Sequence, residues 1–255
     1  MNNYYTREES NQKFLAKKLR GFGIGYDVIL EVYHNIHSEL PKNLLEIGIG
    51  NLGSHRCWLT VLPESNIYGL DSANFSLDVT RASGDMRQWV NNQEGIYHYS
   101  TLPFREQKRM HLHWNVNGYQ KDVAQQFYDC YGAMDIIVND GKQDGVCHNP
   151  LIEYWNDKVS ETGVIIQDKL GRAGPFNGLY INQIDKAVRN GWALYDCRKY
   201  TEYDNVNPTA NGIFAVYAQR PEYTQELDKH LPRIYSHIDL NLTEKEKIGD
   251  DQQND

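Results

Sequence analysis

An α/β fold, a mostly parallel sheet with helices wound on both faces, is what this sequence predicts, and three observations predict it. Short apolar runs end on glycine or an acid, as in Leu44-Leu45-Glu46-Ile47-Gly48 and Ile67-Tyr68-Gly69-Leu70-Asp71. Stretches of helical pattern separate such runs at the spacing of β-α-β units, the arrangement that builds a parallel sheet. The first run also passes directly into Gly48-Ile49-Gly50-Asn51-Leu52-Gly53, a turn in which glycines let the backbone bend sharply into a helix.

In chain order, residues 1–12 are polar. Phe14, Leu15, Leu19, Tyr26, Ile29, Leu30, Tyr33 and Ile36 then predict two helices around the turn 21–25, a helical N-terminal extension over 1–43. The first strand is Asn43 to Gly48, followed by a helix from Ser54 to Thr60 and a second strand from Asn66 to Asp71. A third strand is read at Met110 to Val116, a fourth at Met134 to Asp140 and a fifth at Gly163 to Asp168, with helices at 119–131, 148–160 and 177–190. Trp192 to Arg198 and Gly212 to Ala218 are joined by a link too short for a crossover helix, so they pair as an antiparallel hairpin. The result is a doubly wound, Rossmann-like, seven-stranded sheet in a core over 44–221. Residues 72–109 exceed what a β-α-β connection needs, and an insertion there is expected to cover the carboxyl edge of the sheet as a lid. Residues 222–255 begin with a helix from Tyr223 to Tyr235 and end in the charged stretch TEKEKIGDDQQND, whose composition predicts disorder.

Composition narrows the function. The 255 residues are 40% hydrophobic, enough for one core, and a formal net charge of −8 with no Lys/Arg-rich patch argues against nucleic acid as partner. Cys57, Cys130, Cys147 and Cys197 are widely spaced and form no CxxC pair, so reduced thiols are expected. No apolar run approaches the roughly 18 residues of a membrane span, and MNNYYTREESNQ lacks the apolar core of a signal peptide. A cytoplasmic protein with no membrane partner is expected.

Gly48, Gly50 and Gly53 fit GxGxxG, which serves a dinucleotide or S-adenosylmethionine (SAM), and Asp71, an acid ending the second strand, suits the ribose of either. Three features separate them. Glu46, two residues before the first glycine, would attract the ammonium of an amino-acid cofactor and repel a pyrophosphate. About 43 mostly helical residues precede the first strand, where nucleotide dehydrogenases commonly open on it, and the sheet ends in a hairpin. SAM is the favoured cofactor, an NAD-dependent oxidoreductase the alternative, and a non-catalytic cofactor-binding subunit a third reading.

In this order and spacing, LLEIGIGNLGSH, IYGLD, NVNGYQKD, MDIIVNDGKQD and GVIIQDKLG resemble the sugar O-methyltransferases typified by macrocin and mycinamicin methyltransferases, over about residues 44–170. The resemblance implies a SAM-dependent O-methyltransferase acting on a hydroxyl of a sugar or nucleotide sugar, in polysaccharide or glycosylated natural-product biosynthesis; a non-sugar small-molecule acceptor stays open. It places Glu46, Gly48 and Gly50 along the methionine part of the cofactor, Asp71 at its ribose and Asn117 at its adenine. It implies a divalent cation, Mg²⁺ or Mn²⁺, held by Asp140 and Asp168, with Gln167 where the family has another acid. The family's histidine three residues after the metal-binding Asp is Gln143 here, which cannot take a proton. Asp144, His148, and Asp140 itself without a metal remain as catalytic candidates. Trp114 is read as core, Arg172 as a rim cation suited to a diphosphate. A homo-oligomer is compatible with this reading.

Overall fold

The structure is a computed structural model, and it describes residues 30, 33–72, 95–141, 153–170, 185, 188–189, 191–196, 213–218 and 221–236. Strands β1 (Asn43–Ile47), β2 (Asn66–Asp71), β3 (Met110–Trp114), β4 (Met134–Asn139), β5 (Val159–Leu170), β6 (Ala193–Asp196), β7 (Ile213–Ala218) and β8 (Arg233–Ile234) form one sheet. Their order is β3-β2-β1-β4-β5-β7-β6-β8. The first five are parallel, with β1 at the centre between β2 and β4. β7 runs antiparallel between β5 and β6, so the expected hairpin is present and its second strand is the inner one.

Period-two alternation sends side chains to two cores. Leu44, Ile67, Met110, Ile136, Val138, Val164 and Ile166 face helix α1 (Gly53–Val61), whose Cys57, Trp58, Leu59 and Val61 cover them, and Leu30 and Tyr33 of the N-terminal extension join this layer. Leu45, Ile47, Tyr68, Leu70, Ile137 and Ile165 face the other way, onto Ala124 and Phe127 of helix α3 (Lys121–Tyr131) and onto Trp155. A parallel sheet buried on both faces is the reason its strands read as nearly continuous apolar runs.

Local chemistry closes the elements. α3 ends at Gly132, whose N–H reaches the Tyr128 carbonyl at 2.8 Å. At the sheet's amino edge, Asp135 Oδ2 accepts the amides of Lys42 and Asn43 at 2.8 and 3.1 Å, and its Oδ1 accepts Ser160 Oγ at 3.0 Å, tying β1, β4 and β5 together. At the end of α1 the Arg109 guanidinium donates to the carbonyls of Leu62, Ser65 and Leu59 at 2.8, 2.7 and 3.1 Å. It neutralises the negative end of the helix while locking it to β3. Arg109→Ala is expected to cost about 2 kcal/mol in chemical unfolding, because three carbonyls lose a charged donor, whereas a loss within 0.5 kcal/mol would contradict this role.

Some boundaries differ from the expected ones. β3 stops at Trp114, two residues early, because Asn115 adopts a left-handed conformation, φ 58°. The helix expected at 148–160 is helical at 153–155 and then turns, Lys158 N–H to Trp155 O, so that β5 starts at Val159 rather than Gly163. The last helix among the described residues is α4 (Pro221–His230), and the chain after it adds β8 to β6, a strand where helix was expected. Of the expected lid, residues 95–100 are helical and a short helix α2 (Phe104–Gln107) follows; residues 73–94 lie outside the described residues, as do most of the N-terminal extension and the charged C-terminal stretch. Cys57 is buried and Cys130 exposed, both as free thiols, while Cys147 and Cys197 lie outside the described residues. Among the described residues no helix is long and apolar enough to cross a membrane.

Candidate active site

The carboxyl ends of β1, β2, β3 and β4 converge on the turn 48–53, at the position where strand order reverses between β1 and β4 and where open α/β sheets place their ligands. The turn is built by its own hydrogen bonds. Gly48 N–H donates to Leu70 O at 2.8 Å and Leu52 N–H to Ile49 O at 3.0 Å. Asn51 Oδ1 accepts Gly53 N–H at 3.1 Å. Asp71, nearly buried at the end of β2, accepts the Ile49 and Gly50 amides on one oxygen, Oδ2, at 2.8 and 3.1 Å. Asp71 thus fastens the turn from the end of β2.

Gly48 has φ +105°, and a Cβ there would lie 2.6 Å from the carbonyl carbon and oxygen of Asp140 and from Cα of Gly141. The segment leaving β4 therefore packs directly on the turn, and Asp140 N–H donates to Ile47 O at 2.9 Å. Half-buried Asp140 stands at this edge, where the sequence places it. Helical residues 95–100 begin against the same turn: a Cβ on Gly95 would sit 2.5 Å from Gly50 O and 3.2 Å from Trp114. Gly95 thus packs between the turn and Trp114, which itself packs against the first core.

Glu46 is tied into the helix that follows the turn. On β1 it shares the α1 face with Leu44, and its side chain is fully buried. Ser54 Oγ donates to Oε1 at 2.5 Å, Trp58 Nε1 donates to Oε2 at 3.0 Å, and His55 Nδ1 lies 3.1 Å from Oε2. A carboxylate engaged by three side chains of α1 holds the helix to the strand beneath the turn. Burial pulls His55 down to about 4, outweighing the raising effects of the Tyr68 backbone and of Asp140. Its ring is neutral at pH 7.

Asn117 lies exposed after β3, its Oδ1 accepting Tyr119 N–H at 3.0 Å in a side-chain-closed turn. Gln167 pairs in register with Asn139, so Gln167 and Asp168 on β5 run beside the end of β4 and Asp140; their side chains lie outside what is described. Asp144, His148 and Arg172 lie outside the described residues altogether. Among the described residues no cluster of three His, Cys, Asp or Glu side chains suited to a metal occurs.

No family model matches the sequence, and no curated protein matches it. Solved structures do. The MycE methyltransferase from the mycinamycin biosynthetic pathway, in complex with Mg, SAH and mycinamycin VI, aligns with TM-score 0.52 over 86% of this chain at 15% identity. An O-methyltransferase from Bacillus cereus in complex with SAH aligns with TM-score 0.52 over 84% of this chain and 90% of its own, at 16% identity. The chain has the class I methyltransferase fold. The chain spans 56% of the length of the MycE chain it matches. At these identities the likeness establishes the fold, and the residues of the cleft must carry the rest.

Tyr119 and the α1 partners of Glu46 were not singled out from sequence. Ser54, His55 and Trp58 follow the turn at positions that share one buried helix face, a signal that was legible; Tyr119 lies within the segment NVNGYQKD, but hydropathy gives it no pattern of its own.

Proposed function

We propose that this chain is a SAM-dependent O-methyltransferase whose acceptor is a hydroxyl of a sugar or nucleotide sugar, assisted by a divalent cation. The observation that favours SAM over NAD is the state of the turn's amides. A dinucleotide pyrophosphate is held by free N–H groups at a helix N-terminus. Here the amides of Gly48, Ile49, Gly50, Leu52 and Gly53 are engaged within the protein, two of them by the carboxylate of Asp71, which would also repel a phosphate. SAM carries no phosphate and asks of the turn only close backbone approach. In this reading Gly48 and Gly50 line the methionine part, Asp71 the ribose and Asn117 the adenine, with Glu46 acting from beneath. The SAH in both solved neighbours is in keeping with it.

Methyl transfer moves the carbon from sulfur to the acceptor oxygen in line; the S–C bonding pair stays on sulfur, giving SAH, and the hydroxyl proton passes to a base. Alignment alone supplies on the order of 7–11 kcal/mol in favourable cases, and a placed base about 10²–10⁴-fold. Asp140, beside the turn, and Asp144 and His148 after it are the candidates for that proton. Asp140, just after β4, and Gln167 and Asp168 on the neighbouring β5 would supply oxygen donors of the kind Mg²⁺ and Mn²⁺ prefer. A cation bound there would lower the pKa of the acceptor hydroxyl and fix its direction.

Methyl-labelled SAM incubated with a panel of sugars and nucleotide sugars is expected to give a labelled ether product, lost with chelator and restored by Mg²⁺ or Mn²⁺. Full transfer in excess chelator would remove the cation from this account, and labelling confined to non-sugar acceptors would remove the sugar.

A further inference from the structure

Tyr119, in the loop between β3 and α3, reaches the end of β4. Its hydroxyl donates to Oδ1 of Asn139 at 2.8 Å, and the same oxygen, on a side chain 1% exposed, also accepts Gly141 N–H at 3.4 Å. The phenol is held from behind. Asn117 Oδ1 fixes the Tyr119 backbone at 3.0 Å, and buried Trp155 Nε1 donates to Gly118 O at 2.8 Å. Gly141 is shaped to this hydroxyl: a Cβ there would overlap Tyr119 Oη, while its other near neighbours, Ile47 O and Tyr119 Cζ, would lie at 3.3 Å. On its opposite side the Asp140–Gly141 backbone abuts Gly48, at 2.6 Å from where a Cβ would stand.

The segment 139–141 is therefore clasped between the glycine turn and a phenol. We propose that Tyr119 is a positioning residue that holds this segment against Gly48 and so sets the cofactor edge and the place of Asp140. This rests on the SAM reading above and adds to it a residue that touches neither reacting atom.

The test is calorimetric titration with SAH of the wild-type chain, Tyr119→Phe, Gly141→Ala and the double variant, with thermal unfolding of each measured without ligand. Tyr119→Phe removes one atom and one hydrogen bond and is expected to weaken SAH roughly fivefold with little change in unfolding temperature. Gly141→Ala is expected to weaken it by about tenfold or more on its own, yet to cost clearly less in the Tyr119→Phe background, where the overlapping oxygen is gone. Wild-type affinity in Tyr119→Phe, or two changes that simply add, overturns the proposal while leaving the cofactor reading intact. If Gly141→Ala yields no folded protein, Tyr119→Phe decides alone. A wild-type chain that does not bind SAH overturns the cofactor reading itself, and this proposal with it.

Discussion

Gly48→Ala is expected to abolish practical cofactor binding, with SAH affinity falling about 100-fold or more. Two costs combine. At φ +105° an L side chain is strained by roughly 1–3 kcal/mol. The new Cβ would also meet the backbone of Asp140 and Gly141 at 2.6 Å, and backbone cannot swing aside as a side-chain tip can, so the turn or the end of β4 must move. A total near 3 kcal/mol corresponds to about 100-fold at roughly 1.4 kcal/mol per tenfold. Gly132→Ala is the matched control: φ is +76°, nothing lies within 4 Å of its Cβ, and it sits past α3. It should lose about 1 kcal/mol of stability and no SAH affinity. Equal SAH affinities for the two variants would show that packing against Asp140 does not matter.

Acid is expected to destabilise the fold through His55, by about 3 kcal/mol between neutral pH and pH 4. The folded-state value is about 4 against an unfolded 6.5, so the unfolded chain binds the proton first as pH falls. Stability is complete above about 6.5 and is lost progressively toward 4, and a shift of roughly 2.5 units at 1.36 kcal/mol each gives the magnitude. Glu46 Oε2 stands 3.1 Å from Nδ1, and the raising effects of the Tyr68 backbone and of Asp140 do not offset burial. His111 and His113, lowered by burial on the opposite face, add slopes of the same sign. His55→Leu, without a proton to bind, should lose stability between pH 7 and pH 4 by about 3 kcal/mol less than wild type does, whatever its stability at pH 7. Chemical unfolding at both pH values measures this, and parallel pH profiles for the two proteins would contradict it.

The sheet was legible because strands buried on both faces write themselves as apolar runs, and because the runs at β1 and β2 end in the glycine turn and Asp71. β8 was not legible: two residues carry no period, and Arg233-Ile234 becomes a strand only because β6 offers an open edge. Val159 to Gly163 was missed since Ser160, Glu161 and Thr162 do not read as a buried strand, and it is pairing with Met134 that extends β5. Glu46 teaches the same lesson at the site. Its position before the turn was visible, but the direction of its carboxylate follows from the pleat and from a buried Trp58 indole that needs an acceptor. Tyr119 was invisible because its role depends on contact with Gly141, far along the chain.

The central claim is that this turn receives SAM and not a dinucleotide, its amides being already engaged by Asp71 and by the turn itself. Parallel calorimetric titrations of the wild-type chain with SAH and with NAD test it most directly. Saturable binding of SAH with no heat from NAD is the expected result; tight binding of NAD without SAH would contradict the account.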